Sequence, residues 1–138
     1  VVHKIQQSGG SAFTIGADLN TLNGIRDLYA ALEETLRKRT GDNRFDILVN
    51  NAGIGQILTV EEATEESFDE VMDIDVKAPF FVTQQALPRL KDEGRIINIS
   101  SFVTRVASPA FSPTAYRRVQ STHLRTSWLS NLGAVILR

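Results

Sequence analysis

Cysteine is absent from the chain, and histidine occurs only at His3 and His123. The first absence excludes a disulfide framework, thiolate catalysis and cysteine-ligated zinc, and it suits a reducing, cytoplasmic setting. The second leaves too few imidazoles, too far apart, for a metal cluster, so no metal site is expected. Neither sign of charge is in excess: 15 Lys and Arg face 16 Asp and Glu, for a net charge of −1. That balance supplies no field for nucleic acid or an anionic membrane, and neither is expected as a partner. No apolar run approaches the roughly 20 residues of a membrane span, and no signal-peptide pattern opens the chain. What is present, 42% apolar and 22% charged residues over 138 positions, is the composition of one globular domain. The chain opens on Val1 rather than Met, and VVHKIQQSGG reads as the end of a helix, which predicts that residues ahead of Val1 have been cut away.

Periodicity gives the order of elements. SAFTIGADL alternates small and β-branched residues, which predicts a short buried strand ending near Asp18. From Ile25 the apolar positions Leu28, Tyr29, Leu32 and Leu36 fall on one helical face, with Glu33 and Arg37 spaced to pair outside and Gly41 as a stop. FDILVNNAG is an apolar run bounded by polar residues and glycine, the pattern of a strand covered on both faces in a parallel sheet. Thr64 is a natural N-cap, with Glu65 and Glu66 in the first turn, for a long helix to about Leu90 that Pro79 interrupts. GRIINISS predicts a further strand. Alternating helices and strands imply a doubly wound α/β architecture, a parallel sheet in three α/β/α layers, with ligands at the carboxyl ends of its strands. Those ends are ADL, NNAG and SS. No internal repeat, low-complexity segment or second domain is evident.

The ordered set ADL, NNAG after FDILV, and IINISS resembles the short-chain dehydrogenase/reductase family over Val1 to Phe111. Each motif alone is weak, but their order and intervals are specific. The resemblance implies a partial Rossmann-like domain, an NAD or NADP cofactor, a small carbonyl or alcohol substrate and a homo-oligomer. It implies that Asp18 and Leu19 contact adenine, and that Asn50, Asn51, Ala52 and Gly53 pass along the cofactor, the asparagines tying neighbouring strands and ribose. Read without the family, Asp18 is an ordinary helix cap and Asn-Asn-Ala-Gly an ordinary turn. Ser101 is similar to the serine that orients the substrate oxygen. Asp75 stands where the family often has asparagine, whose main-chain carbonyl holds a water of the proton relay. Pro79, four residues on, has no N–H with which to take that carbonyl, so Asp75 can keep the backbone role. The bland alternative is that Pro79 only kinks the helix.

Two family elements are missing. No Gly-rich pyrophosphate loop occurs, and Tyr116 is followed four residues later by Gln120, where the family's Tyr-x-x-x-Lys has lysine. The family also sets its tyrosine thirteen residues after the serine, a distance that falls on Thr114. Codons compatible with Phe111 to Arg138, with one base restored after the first, translate as FIAYSVSKGAINTLTYKLAKQLGGRNIA. That text has its tyrosine at position 114 and its lysine at 118. The expected division is therefore a partial NAD(P)-binding domain over residues 1–111 and an aberrant, frameshifted tail over 112–138 in place of the catalytic helix. As written, the tail has no clean apolar face, because arginines interrupt Val119, Leu124, Trp128 and Leu132. The functional expectation is an oxidoreductase by family, with Ser101, Tyr116 and Asp75 as its catalytic candidates, in a chain that is itself inactive. The alternatives are a non-enzymatic interaction module and a divergent member with an altered site.

Overall fold

The computed structural model describes residues 1–100. Helix α1 (Val2–Gln7) is followed by Ser8 as its C-cap and by Gly9, whose N–H closes on the Gln6 carbonyl. Helix α2 (Leu22–Thr40) starts on Thr21, whose Oγ1 accepts the Gly24 N–H at 3.0 Å. It stops at Gly41, which takes the left-handed φ of 77° and returns its N–H to the Arg37 carbonyl. Its buried face is Ile25, Tyr29, Leu32 and Leu36, as the spacing predicts, while Leu28 is only half-buried.

Strands β1 (Phe45–Asn50) and β2 (Leu90–Asn98) form a parallel pair, with Leu48, Val49 and Asn50 opposite Ile96, Ile97 and Asn98. Parallel neighbours need a crossover, and the intervening chain provides it. Helix α3 (Glu65–Met72) starts on a capping box: Thr64 accepts from the Ser67 N–H, and the Ser67 hydroxyl accepts from the Thr64 N–H. A π-helical turn (Asp73–Lys77) follows, then α4 (Ala78–Ala86) and a short 3₁₀ turn (Leu87–Arg89). The expected interruption at Pro79 thus takes a specific form. The ladder widens immediately before the proline, with the Ala78 N–H reaching the Asp73 carbonyl, and Pro79 sits in the first turn of α4, where its missing N–H costs least.

The core gathers α2 and α4 onto the two strands: Ile25, Tyr29, Leu32 and Leu36 meet Leu48, Val82, Ala86 and Ile96. Tyr29 ties the layers further, its hydroxyl donating to the Val82 carbonyl at 2.7 Å.

Three expectations need correction. Residues 11–19 are not a buried strand: they run outside any sheet, although Phe13, Ile15 and Leu19 pack on the core. A strand requires a hydrogen-bonded neighbour, and among the described residues the sheet holds only β1 and β2. Nor is β1 fully covered. Phe45 and Leu48 are buried, but Ile47 and Val49 are half-exposed. Finally, Glu33 pairs with Arg89 rather than Arg37, because a partner across the helix layer, partly shielded from water, competes better than one on an open face.

Candidate cofactor and active site

The carboxyl ends of β1 and β2 lie side by side, and their terminal asparagines join. The Asn50 amide donates to Asn98 Oδ1 at 2.8 Å and to Thr83 Oγ1 of α4 at 3.0 Å. The Ile99 N–H extends the ladder to the Asn50 carbonyl at 2.9 Å. One side chain thereby fastens two strands and a helix at the point where the parallel sheet opens to ligands. Asn50 is half-buried, whereas Asn51, Ala52 and Gly53 are exposed and make no hydrogen bond of their own among the described residues.

Asp75 is buried, at 5% exposure, and is the one polar residue that joins the buried set among the described residues. It falls within the helical stripe formed by Val71, Ala78 and Val82, a position where an apolar side chain would be expected. Its Oδ1 accepts the Ile54 N–H at 3.0 Å, which closes the far end of the exposed loop. A hydrogen bond of this kind contributes about 1 kcal/mol and offsets part of the cost of burying a polar side chain. The carboxylate side chain therefore has a structural task that the sequence alone did not reveal.

No hydrogen bond links Asp18 to this loop among the described residues. Asp18 is exposed in the turn before α2, and its Oδ1 accepts both the backbone N–H of Asn20, at 3.0 Å, and the Asn20 side chain, at 3.1 Å. Thr21 rather than Asp18 is the cap of α2. Leu19 is drawn inward against the core. Ser101 and Tyr116 lie outside the described residues, as do the tail and its boundary at residue 112. The structure thus brings together Asn50, the 51–53 loop and Asp75, and adds Thr83 and Asn98. Asn98 had a legible signal, being a polar residue inside the apolar run RIINI, opposite Asn50. Thr83 had none, since one threonine on a helix has no distinguishing pattern.

An NAD or NADP molecule requires small residues with open backbone groups beside a strand end. The exposed Ala52 and Gly53 meet that requirement, and Asp18 keeps a second carboxylate oxygen beyond the one engaged with Asn20.

Comparison with known proteins agrees with this geometry. A family model described as short chain dehydrogenase matches residues 1–116. An uncharacterized oxidoreductase of Methylorubrum extorquens is 37% identical over 109 residues, covering 79% of this chain and 42% of its own length. The short-chain dehydrogenase/reductase FrzI of a Cladobotryum species is 31% identical over 134 residues, 96% of this chain and 49% of its own. Among solved structures, the landomycin C-6 ketoreductase LanV with bound NADP and rabelomycin superposes with a TM-score of 0.81 at 41% identity, covering 91% of this chain and 54% of LanV. A dehydrogenase/reductase from Sinorhizobium meliloti gives a TM-score of 0.77 at 35% identity, over 89% of this chain and 47% of its own. The chain spans about half the length of these relatives. With the parallel α/β core, the NNAG loop and the family match in agreement, the chain belongs to the short-chain dehydrogenase family.

Proposed function

We propose that this chain carries part of the site of an NAD(P)-dependent oxidoreductase, one that moves hydride between nicotinamide and a small carbonyl or alcohol. The observation that carries the proposal is the Asn51–Gly53 loop, exposed at the carboxyl end of β1 and fixed at both ends, in a chain of this family. NADP is present in LanV and supports an NADP-type ligand here. When bound, the dinucleotide supplies or receives the hydride. The chain's own residues have other tasks in this reading. Asp18 and Leu19 contact adenine, Asn50 and Asn51 tie neighbouring strands and the ribose, Ala52 and Gly53 permit close backbone approach to the cofactor, and the Asp75 carbonyl holds a relay water.

Ser101 orients the substrate oxygen. A tyrosine is the general acid or base, and a neighbouring lysine cation lowers its pKa from about 10. Tyr116 has Gln120 at the lysine's place, and an amide supplies no cation to assist a phenol. The proposal therefore includes inactivity of this chain as it stands, with residues 112–138 as an aberrant replacement for the catalytic helix, and residence in the cytoplasm.

The test is twofold. NADPH titrated into the chain and followed by nucleotide fluorescence should saturate, and NADPH consumption with a panel of ketones and aldehydes should stay at background. Absence of saturation overturns the cofactor reading; turnover above background overturns the inactive one.

A further inference from the structure

The exposed stretch Asn51–Ala52–Gly53 has no hydrogen bonds among the described residues to set its backbone, yet both of its neighbours are fastened to one helical segment. At the near end, the Asn50 amide donates to Thr83 Oγ1. At the far end, the Ile54 N–H donates to Asp75 Oδ1. We propose that Asp75 and Thr83 are a pair of positioning residues whose side chains clamp the loop from both sides and hold residues 51–53 in one conformation. The dinucleotide as the loop's ligand rests on the reading above; the clamp itself does not.

Three features support the pair. Asp75 occupies an otherwise apolar buried stripe, where a carboxylate is unfavourable without a donor, so the loop N–H and the carboxylate each stabilise the other's placement. The π turn (Asp73–Lys77) adds a residue to the ladder between α3 and α4, which sets the angular position of Asp75 relative to Thr83. Both contacts use the side chain as an acceptor. An amide can replace the carboxylate, and a serine hydroxyl can replace the threonine's, whereas alanine and valine can replace neither.

Amide hydrogen exchange on the ¹⁵N-labelled chain tests this, with the Leu32 and Leu36 amides of α2 as internal reference. Asp75→Ala should speed exchange at Ile54 about tenfold and leave α2 unchanged, and Asp75→Asn should restore protection. Thr83→Val should free one of the two hydrogens of the Asn50 side-chain amide, the other staying on Asn98 Oδ1, and broaden the resonances of residues 51–53, and Thr83→Ser should restore them. Unchanged exchange at Ile54 in Asp75→Ala, or an Asp75→Asn chain that behaves like the alanine variant, overturns the proposal. If Asp75→Ala does not fold, the Thr83→Val and Thr83→Ser pair decides the question, and sharp unshifted loop resonances in Thr83→Val overturn it. Titrating NADPH into the wild-type chain separates the two readings: failure to bind removes the dinucleotide and leaves the exchange result to judge the clamp.

Discussion

Tyr29 shows how one side chain joins packing to titration. It is 2% exposed in the core, its hydroxyl donates to the Val82 carbonyl, and the Arg89 guanidinium lies 5.1 Å from its ring centroid. Burial pushes its phenol well above the ordinary value near 10, and the neighbouring Arg89 opposes this to a smaller extent. Above about pH 10 the unfolded chain has released this proton while the folded chain still holds it, so the folded state binds more protons. The contribution is fully present below that pH. As pH climbs towards the raised folded value, stability should fall by up to about 1.4 kcal/mol per unit. Tyr29→Phe removes the titrating group, costs about 1 kcal/mol at neutral pH through the lost hydrogen bond, and should flatten the alkaline slope. Urea midpoints from about pH 8 to 11 measure both. Parallel slopes in the two proteins would show that the phenol does not stay neutral in the core.

The start of α2 makes the equivalent point for an element. In an exposed helix, replacing glycine by alanine ordinarily gains about 1 kcal/mol. At Gly24 the sign should reverse. An ideal Cβ there would stand 2.0 Å from the Asp18 carbonyl oxygen, a backbone atom that cannot move without carrying the Asp18 turn with it. Gly24→Ala should destabilise the chain by about 1–3 kcal/mol in thermal unfolding, and a gain would show that the turn yields freely. That close approach was invisible in the sequence, where nothing about Gly24 between Asn23 and Ile25 marks it. The α2 core face was legible, since Ile25, Tyr29, Leu32 and Leu36 follow a helical period and need only that face to be covered. The Thr64 cap was legible because its signal lies within one turn. The strand expected over residues 11–19 was not a sound inference, since local alternation can show a capacity to pair but not the presence of a partner. Within the site, the NNAG loop was readable from its place after an apolar run. The side-chain bond from Asp75 to Ile54 spans a long stretch of chain, and no spacing rule connects them.

For the whole molecule, the closing residues bear on both the fold and the chemistry. The family model runs to residue 116, so it includes Ser101 and Tyr116, and Gln120 lies beyond it, where the family resemblance leads one to expect lysine. A point substitution would account for Gln120 alone. It would not account for the tyrosine standing two residues late, nor for the arginines that break every apolar face after Pro113. One lost base near the codons for Phe111 and Ser112 would account for all three, because every residue downstream would then be read from the wrong frame. The two accounts differ in the encoding DNA. Under the frameshift, inserting a single base between codons 111 and 112 yields a tyrosine at 114 and a lysine at 118, followed by an apolar-periodic helix. Sequencing codons 105 to 118 and beyond reads this directly. A nucleotide sequence in which no single insertion there produces that spacing would return Tyr116 and Gln120 to the status of evolved residues. Gln120→Lys would then be the variant expected to raise NADPH-dependent turnover, whereas under the frameshift it leaves turnover at background.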